Sequence, residues 1–138
     1  LSTFTTQEKS EAEISDLIQT RSRHFFVSEA QGACQGFATF GPFRAGPGYR
    51  TTCEHSILVH PDHHGLGVGR ALMDALTGAA TADNYRVMVA AISGENPAAI
   101  EFHSNIGFRQ VGHMPQVGFK AGRWLDLVLM QKNLIERA

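Results

Sequence analysis

Polar and apolar residues alternate along EHSILVH, residues 54–60, near the middle of the chain. In a β-strand, successive side chains point to opposite faces of the sheet. The pattern therefore predicts a strand whose two faces carry Glu54, Ser56 and Leu58 on one side and His55, Ile57 and Val59 on the other.

The segments that follow predict a helix and then a buried strand. In GRALMDALTGAATADNY, residues 69–85, apolar residues recur at helical spacing. RVMVAAIS, residues 86–93, is apolar without alternation, as in a central strand covered on both faces. The order strand, helix, strand implies a parallel pair joined by a right-handed crossover. A second helix is expected to begin at the cap Asn96 and at Pro97, and to stop at Gly107.

Hairpins are predicted at both ends of this unit. HFFVSEA, residues 24–30, and CQGFATF, residues 34–40, are short apolar runs separated by a turn, which predicts an antiparallel pair. RQVGHMPQVGFKAGRWLDLVLMQ, residues 109–131, predicts two strands joined by a turn from Phe119 to Gly122.

Two further segments complete the fold class. The glycines and prolines of GPFRAGPGYR, residues 41–50, predict a loop without regular structure. TTQEKSEAEISDLIQTRSR, residues 5–23, carries apolar residues at helical spacing and predicts a short amphipathic helix. Together the elements indicate an α/β class with a mixed sheet and helices on its faces.

The composition narrows the possible functions. Of 138 residues, 43% are hydrophobic, and 12 basic residues nearly balance 13 acidic ones. This length predicts a single domain, and the balanced charge argues against nucleic acid as a partner. The sequence contains neither a run of about 18 apolar residues nor a charged, then apolar leader, so neither a membrane span nor a secretion signal is expected. Cys34 and Cys53 lack CxxC spacing, which fits ordinary thiols in the reducing cytoplasm.

HPDHHGLGVGR, residues 60–70, combines histidines with glycines at every second position. A zinc site of this kind normally draws further ligands from elsewhere, so plain turn histidines are the preferred interpretation. The glycines match neither GxGxxG nor a P-loop, because their spacing is GxGxG and Gly69 is followed by Arg70. Glycines still let a ligand approach the backbone, and a helix start leaves N–H groups for an anion. A plain helix cap and an anion site both remain open on this pattern.

Three longer stretches carry a family resemblance. EHSILVHPDHHGLGVGRALM, ENPAAIEFHSNIGF and GRWLDLVLMQ, in this order, resemble motifs of the GNAT superfamily of acetyl-CoA-dependent N-acetyltransferases, and within it the phosphinothricin and methionine sulfoximine N-acetyltransferases. The resemblance runs from about Phe25 to Leu134. It implies a mixed, mostly antiparallel GNAT-type sheet with helices on both faces and a central splayed parallel strand pair. It also implies a homodimer and one acetyltransferase domain over residues 1–138, in which the family's first strand and helix are not located before Leu1.

The resemblance implies that acetyl-CoA is the co-substrate and that the site contains no metal ion. In the family, (Gln/Arg)-x-x-Gly-x-(Gly/Ala) wraps the pyrophosphate of coenzyme A, and His64 stands here where Gln or Arg is usual, so an altered affinity is expected. The backbone of Ile57 and Val59 is expected to pair with the pantetheine arm, which Asn96 touches, although a plain helix cap is an equally compatible role for Asn96. The implied cofactor-binding residues are Ile57, Leu58, Val59, His64, Gly65, Leu66, Gly67, Val68, Gly69, Arg70 and Asn96.

The same resemblance implies the catalytic groups. Glu54 is the expected general base, taking a proton from the acceptor's ammonium group directly or through water. His103 stands where many members of the superfamily carry a tyrosine that acts as general acid, and a histidine exchanges protons near neutral pH. Without the resemblance, the sequence pattern predicts other roles for both residues. Glu54 would be a solvent-exposed glutamate at the end of a strand, and His103 would be a histidine packed in the core. Direct attack in a ternary complex is expected, because Cys34 and Cys53 match no family nucleophile.

The acceptor is expected at GPFRAGPGYRTTCEH, residues 41–55. Arg44 and Tyr49 match the family's acceptor-binding segment, together with Glu54, whereas Gly46 replaces a second arginine and cannot grip a carboxylate. The expected reaction is acetylation of the amino group of a small amino-acid-like substrate, of the phosphinothricin or methionine sulfoximine type. A protein or peptide N-acetyltransferase and a non-catalytic acyl-CoA-binding module are the alternatives.

Overall fold

The computed structural model describes residues 24–135. Its regular elements are β1 Phe25–Ala30, β2 Ala33–Pro42, β3 Thr52–Val59, α1 Val68–Ala82, β4 Val87–Ser93, α2 Pro97–Asn105, β5 Arg109–Lys120 and β6 Arg123–Asn133. The strands form one six-stranded sheet in the order β1-β2-β3-β4-β6-β5. None of the helices formed by residues 24–135 is long and apolar enough to cross a membrane.

The parallel pair lies at the centre of this sheet. β3 and β4 pair only over Thr52–Glu54 and Val87–Val89, whereas the other neighbouring strands of the described region run antiparallel. Beyond this short ladder, β3 continues to Val59 and β4 to Ser93 without pairing with each other. The mixed, mostly antiparallel sheet with a splayed parallel pair is therefore confirmed.

The hydrophobic core lies between α1 and one face of the sheet. The side chains that α1 buries are Val68, Leu72, Met73, Leu76 and Ala80. They pack in one cluster with Ala38 and Phe40 of β2 and with Cys53 of β3. Each buried Leu, Met or Phe side chain contributes about 1.5–3 kcal/mol through removal of apolar surface from water. This packing fixes the start of α1 against the end of β3.

The second helix lies over the same face of the sheet, so both α-helices of residues 24–135 cover one face, whereas the resemblance implied helices on both. The Asn96 side chain caps α2 by accepting a hydrogen bond from the Ala99 N–H at 3.1 Å, and Pro97 is its first residue. Gly107 ends the helix region with a φ of 101°, a left-handed conformation that favours glycine. His103 of α2 is buried against His55 of β3, so α2 covers the strand on which the predicted chemistry lies.

Most of the predicted elements are confirmed, with two differences in the segment 41–50 that was predicted to lack regular structure. Pro47–Tyr49 form a short 3-10 helix, in which proline at the first position needs no N–H partner. Gly41 and Pro42 belong to the strand, paired with Glu54 and Cys53, although the sequence predicted a loop from Gly41 onward. Proline lacks an N–H donor, but the last residue of a strand can dispense with it. The alternation predicted for β3 is also confirmed. The helix predicted for residues 5–23 lies outside the described residues.

Candidate active site

The glycine turn between β3 and α1 presents its backbone to open space. Gly65 and Gly67 have φ values of 81° and 79°, and a Cβ added at either position would meet no atom within 4 Å. Gly67 is the N-cap of α1 and caps it with no side chain. The first hydrogen bond of the helix runs from the Ala71 N–H to the Gly67 carbonyl. The N–H groups of Val68, Gly69 and Arg70 therefore have no partner within the helix, an arrangement that suits an anion.

Gly69 has a different role from the two glycines before it. A Cβ at this position would lie 3.1 and 3.2 Å from two ring carbons of Phe102 on α2. The absence of a side chain thus lets the start of α1 approach α2 closely. The alternate glycines therefore serve two purposes, left-handed backbone at Gly65 and Gly67 and close helix packing at Gly69.

His64 links the turn to the preceding strand through a hydrogen bond. It stands at the position where the family motif has Gln or Arg. Its Nε2 donates to the Val59 carbonyl oxygen at 2.9 Å, while its backbone N–H donates to the Pro61 carbonyl at 3.3 Å. His64 is thus held by the protein itself, and its backbone N–H is already used. The donors left for an anion are those at the start of α1.

The open edge of β3 faces the splay. The His60 N–H donates to Gln35 at 2.8 Å, on the β2 side. Because the backbone groups of successive strand residues point to opposite neighbours, those of Ile57 and Val59 point toward β4, where β3 has no ladder partner. The Val59 carbonyl accepts from His64, so the backbone groups of Ile57 and the Val59 N–H are the ones that this edge presents to the gap.

A cavity of about 180 Å³ occupies the splay. It is lined by His55 to Ile57 of β3, by Ala90 to Ile92 of β4, and by Asn96, Ala99 and His103. Its walls are mostly apolar, with polar groups converging from β3 and α2, which is typical of a pocket for a small ligand. Asn96 lines this cavity, and its side-chain Oδ1 caps α2, so the cap role is observed.

Glu54 marks the point where the parallel ladder ends. It pairs with Val89 on one side and with Gly41 on the other, so no β2 side chain stands opposite its carboxylate. The carboxylate lies on the sheet face opposite His55. It is exposed, yet partial burial against the surrounding strands raises the pKa of Glu54 above its ordinary value. A carboxylate with a raised pKa is a stronger base.

His103 is buried at the other side of the splay, with both ring nitrogens engaged. Its Nε2 lies 3.0 Å from the Nε2 of His55, and its Nδ1 lies 2.7 Å from the Ala99 carbonyl oxygen. Burial lowers the pKa of His103, and burial followed by the charge of His103 lowers the pKa of His55 to about 3. Sequence reasoning gave His55 no role, although the alternation in β3 already placed a histidine on the apolar face.

The loop between β2 and β3 holds the two residues expected to bind the acceptor. The Arg44 guanidinium lies 5.3 Å from the centre of the Phe43 ring, and the Tyr49 ring packs edge-on against Phe43 at 6.1 Å. Arg44 and Tyr49 are exposed. They therefore form one cluster beside the start of β3, and Gly46, with a φ of 112°, shapes the turn between them.

The turn histidines before the glycines make local contacts. The Asp62 N–H donates to His60 Nδ1 at 3.2 Å, and His63 Nδ1 lies 3.4 Å from the Gln35 amide nitrogen. Within residues 24–135, no group of three or more His, Cys, Asp or Glu side chains is arranged to hold a metal ion.

Comparison with known proteins identifies related sequences. Residues 1–108 match the family model described as acetyltransferase (GNAT) family. The chain is 49% identical over 111 residues to an L-amino acid N-acyltransferase of Escherichia coli (strain K12), covering 80% of this chain and 64% of that protein. It is 48% identical over 112 residues to an L-methionine sulfoximine/L-methionine sulfone acetyltransferase of Salmonella typhimurium, covering 81% of this chain and 66% of that protein. The chain thus spans about two thirds of the length of these relatives.

Solved structures share the fold. An acetyltransferase of Salmonella typhimurium with its cofactor acetyl-CoA superposes with a TM-score of 0.92 at 39% identity, covering 99% of this chain and 81% of that one. A phosphinothricin acetyltransferase of Sinorhizobium meliloti in complex with acetyl-CoA gives 0.87 at 37% identity, covering 95% and 73%. A ribosomal-protein-alanine N-acetyltransferase of Brucella melitensis gives 0.90 at 34% identity, covering 96% and 84%.

Proposed function

The chain belongs to the acetyltransferase (GNAT) family, and from this we propose that it is an acetyl-CoA-dependent N-acetyltransferase. Its proposed substrate is the amino group of a small amino-acid-like molecule of the methionine sulfoximine or phosphinothricin type. The observation that carries the proposal is the combination of N–H groups without a side-chain cap at the start of α1, the open edge of β3 and the cavity beside His103.

The residues of the glycine turn fit a diphosphate. The N–H groups of Val68, Gly69 and Arg70 point from the start of α1, and Gly65 and Gly67 leave open space before them. The Arg70 side chain is exposed and adds a positive charge. We propose that residues His64 to Arg70 hold the pyrophosphate of acetyl-CoA. His64 acts by bracing the turn through its bond to Val59.

The open edge of β3 suits the next part of the cofactor. Ile57 and Val59 present backbone groups to the splay, as a strand does to a missing neighbour. Leu58, between them, turns its backbone groups toward Phe37 of β2 and projects from the other face with 56% of its surface exposed, so its proposed contribution is to hold Ile57 and Val59 at the open edge. Asn96 lines the same cavity, and we propose that it touches the pantetheine arm there.

Glu54 and His103 then flank the end of this path from opposite faces of the sheet. When bound, acetyl-CoA supplies a thioester whose carbonyl carbon accepts the amine. We propose that Glu54, with its raised pKa, removes the proton from the acceptor's ammonium group on one face. His103 handles the proton needed by the departing sulfur on the other face. Base and acid thus act on opposite sides of the bond that is exchanged, and direct transfer needs no cysteine.

The acceptor is proposed to lie at the cluster of Arg44 and Tyr49 and to reach Glu54. Arg44 is free to rotate from Phe43 toward a substrate carboxylate, and Tyr49 offers a hydroxyl and a ring face. Gly46 supplies no side chain, so a single arginine grips the carboxylate. An acidic or phosphinic group of a small amino acid therefore suits the loop better than a long peptide.

The wider setting follows the same proposal. We propose a cytoplasmic enzyme whose partner is a small-molecule amine rather than nucleic acid or membrane. We also propose a homodimer, supported by Phe119 and Trp124, which are 57% and 63% exposed and pack against each other on the β5–β6 hairpin.

A second candidate is peptide N-acetylation, which the likeness to the Brucella enzyme supports. The wide β2–β3 loop, exposed from Arg44 to Arg50, is the feature that favours it. A non-catalytic acyl-CoA-binding module would use the glycine turn alone, and it would not depend on Glu54.

The test is thiol release from acetyl-CoA in the presence of methionine sulfoximine, phosphinothricin, a panel of amino acids and polyamines, and short peptides. The proposal expects acceptor-dependent release with the sulfoximine or phosphinothricin. Release with peptides alone establishes the second candidate. Tight acetyl-CoA binding with only background release for every acceptor contradicts catalysis and leaves the binding module.

A further inference from the structure

The two buried histidines of the site form three contacts through four ring nitrogens. His55 and His103 are 6% and 3% exposed. Their Nε2 atoms lie 3.0 Å apart, His55 Nδ1 lies 3.2 Å from the Val89 carbonyl oxygen, and His103 Nδ1 lies 2.7 Å from the Ala99 carbonyl oxygen. Contacts of this length between buried polar groups are hydrogen bonds only where each has one proton between its two heavy atoms.

Two neutral rings carry too few protons for these contacts. A carbonyl oxygen only accepts, so both carbonyl contacts require a proton on Nδ1 of each ring. The two Nε2 atoms would then face each other with bare lone pairs at 3.0 Å. With one proton on each ring, therefore, only two of the three contacts can be hydrogen bonds.

The distances indicate which contact is given up in the neutral pair. The contact of His55 with Val89, at 3.2 Å, is the longest, whereas that of His103 with Ala99, at 2.7 Å, is the shortest. These distances favour, for the neutral pair, the tautomer in which His55 carries its proton on Nε2 and donates to His103, which keeps its own proton on Nδ1. In this state the one proton of His103 is hydrogen-bonded to the Ala99 carbonyl, and its Nε2 accepts from His55. His103 therefore has no proton on Nε2 to give to a ligand.

A third proton completes the arrangement. It makes all three contacts hydrogen bonds, with the positive charge held between the two imidazole rings. Among the described residues, the other buried titratable side chain is Cys53, next to His55 along β3 and on the same face of the sheet, and burial raises the pKa of its thiol to about 12. Glu54 faces away on the opposite side of the sheet, and β4 has no titratable side chain from Val87 to Ser93. Apart from the pair, none of these groups carries a charge near neutral pH on the face of the sheet where the pair lies.

We propose that His55 and His103 work as one proton-sharing pair that binds a single extra proton, with His55 as the positioning residue that holds this proton on His103. The inference rests on the proposed acetyl transfer. Glu54 takes the first proton of the acceptor's ammonium group and releases it to solvent. As the C–N bond forms, the second proton of that nitrogen passes through water to the pair. As the C–S bond breaks, the charged pair gives one proton to the departing sulfur and returns to two protons.

The pKa directions agree with a single extra proton. Burial lowers the pKa of both rings, so the pair rests with two protons at neutral pH and takes up the third below the ordinary range of histidine. The charge of a protonated His103 opposes a further proton on His55, and the pKa of His55, about 3, lies well below the ordinary value for histidine.

The first test is a pH titration of the ring nitrogens by long-range proton–nitrogen NMR, which requires no enzymatic activity. In the unmodified protein we expect the Nε2–H tautomer for neutral His55, the Nδ1–H tautomer for neutral His103, and one shared titration step. His55→Phe, which keeps a ring but offers no nitrogen, is expected to move proton uptake by His103 at least one pH unit lower, a tenfold weaker binding of the proton. His55→Gln, whose amide rotates to donate or accept, is expected to recover most of the shift.

The control is His24→Gln, which removes a histidine that pairs with Asp83 away from the cavity; it should leave the titration of His103 unchanged. The proposal is overturned if both neutral rings carry Nδ1–H, or if His103 titrates alike with and without His55. Should His55→Phe not fold, the tautomers of the unmodified protein and the His55→Gln titration still decide.

The second test measures the pH dependence of kcat with saturating acetyl-CoA and acceptor. We expect His55→Phe to lower kcat about tenfold and to shift the pH limb that the pair controls, with KM values little changed and His55→Gln close to the unmodified enzyme. An unchanged profile in His55→Phe contradicts the pair. Failure of the unmodified chain to acetylate any acceptor refutes the proposed function instead, while the NMR titration still tests the proton sharing.

Discussion

Gly69 of α1 packs against the ring of Phe102 on α2 so closely that a Cβ at residue 69 would stand 3.1 Å from a ring carbon. The contact joins the turn that presents backbone donors to the helix that carries His103. The packing of these two residues therefore links the position of the backbone donors at the start of α1 to that of the helix that carries the proposed acid. This contact also explains why the third alternate glycine is needed, although its φ is not left-handed.

Gly69→Ala is predicted to destabilise the fold by about 1–3 kcal/mol, because the added methyl group overpacks the helix contact. Gly78→Ala is the matched control in the same helix, since a Cβ there meets nothing within 4 Å. It should instead stabilise by about 0.5–1 kcal/mol through helix propensity. Urea unfolding measures the free energy of unfolding of both variants. Adding Phe102→Leu to Gly69→Ala should recover part of the lost stability. Equal responses at the two glycines would exclude the packing explanation.

Gly67→Ala is predicted to weaken acetyl-CoA binding roughly tenfold or more, because the new methyl group enters the space before the amides and strains a left-handed residue. Gly32→Ala provides the control, since Gly32 has nearly the same φ, 78°, and equally open surroundings in the β1–β2 turn. Both variants should lose about 1 kcal/mol of stability. Titration calorimetry should show weaker binding for Gly67→Ala alone. Equal affinities in the two variants would mean that the turn does not contact the cofactor.

Glu54→Gln is predicted to lower kcat by roughly 10²- to 10⁴-fold, as expected on removal of a general base. Because burial raises the pKa of Glu54, the unmodified enzyme should gain activity as pH rises through a range above that of an ordinary glutamate. The variant should lose this dependence while binding acetyl-CoA normally. Glu29→Gln, an exposed strand glutamate of β1, is the control for the change of charge. A Glu54→Gln enzyme with full activity would assign the base to another group.

The sequence predicted the two faces of β3 and the glycine turn because both depend on local periodicity and backbone conformation. Local pattern was therefore enough to locate Glu54 at the start of β3 and the backbone donors at the start of α1. The pairing of His55 with His103 could not be predicted in this way, since the two residues are 48 positions apart and meet only through the packing of α2 over β3. The contacts of Arg44 and Tyr49 with Phe43 could not be predicted from periodicity either, because they depend on the conformation of a loop.

Acid is predicted to destabilise the fold through the same two histidines. Their folded pKa values lie below the ordinary value of about 6.5, so the unfolded chain binds more protons and stability is lost as pH falls below that value. Between pH 7 and pH 5 the loss should be about 2 kcal/mol for each histidine that stays neutral in the folded state. His103→Phe should reduce this loss, whereas His113→Gln, which changes an exposed histidine bonded to Asp126, should retain it. Urea unfolding at the two pH values measures the difference, and identical pH dependence in the unmodified protein and His103→Phe would contradict the assignment.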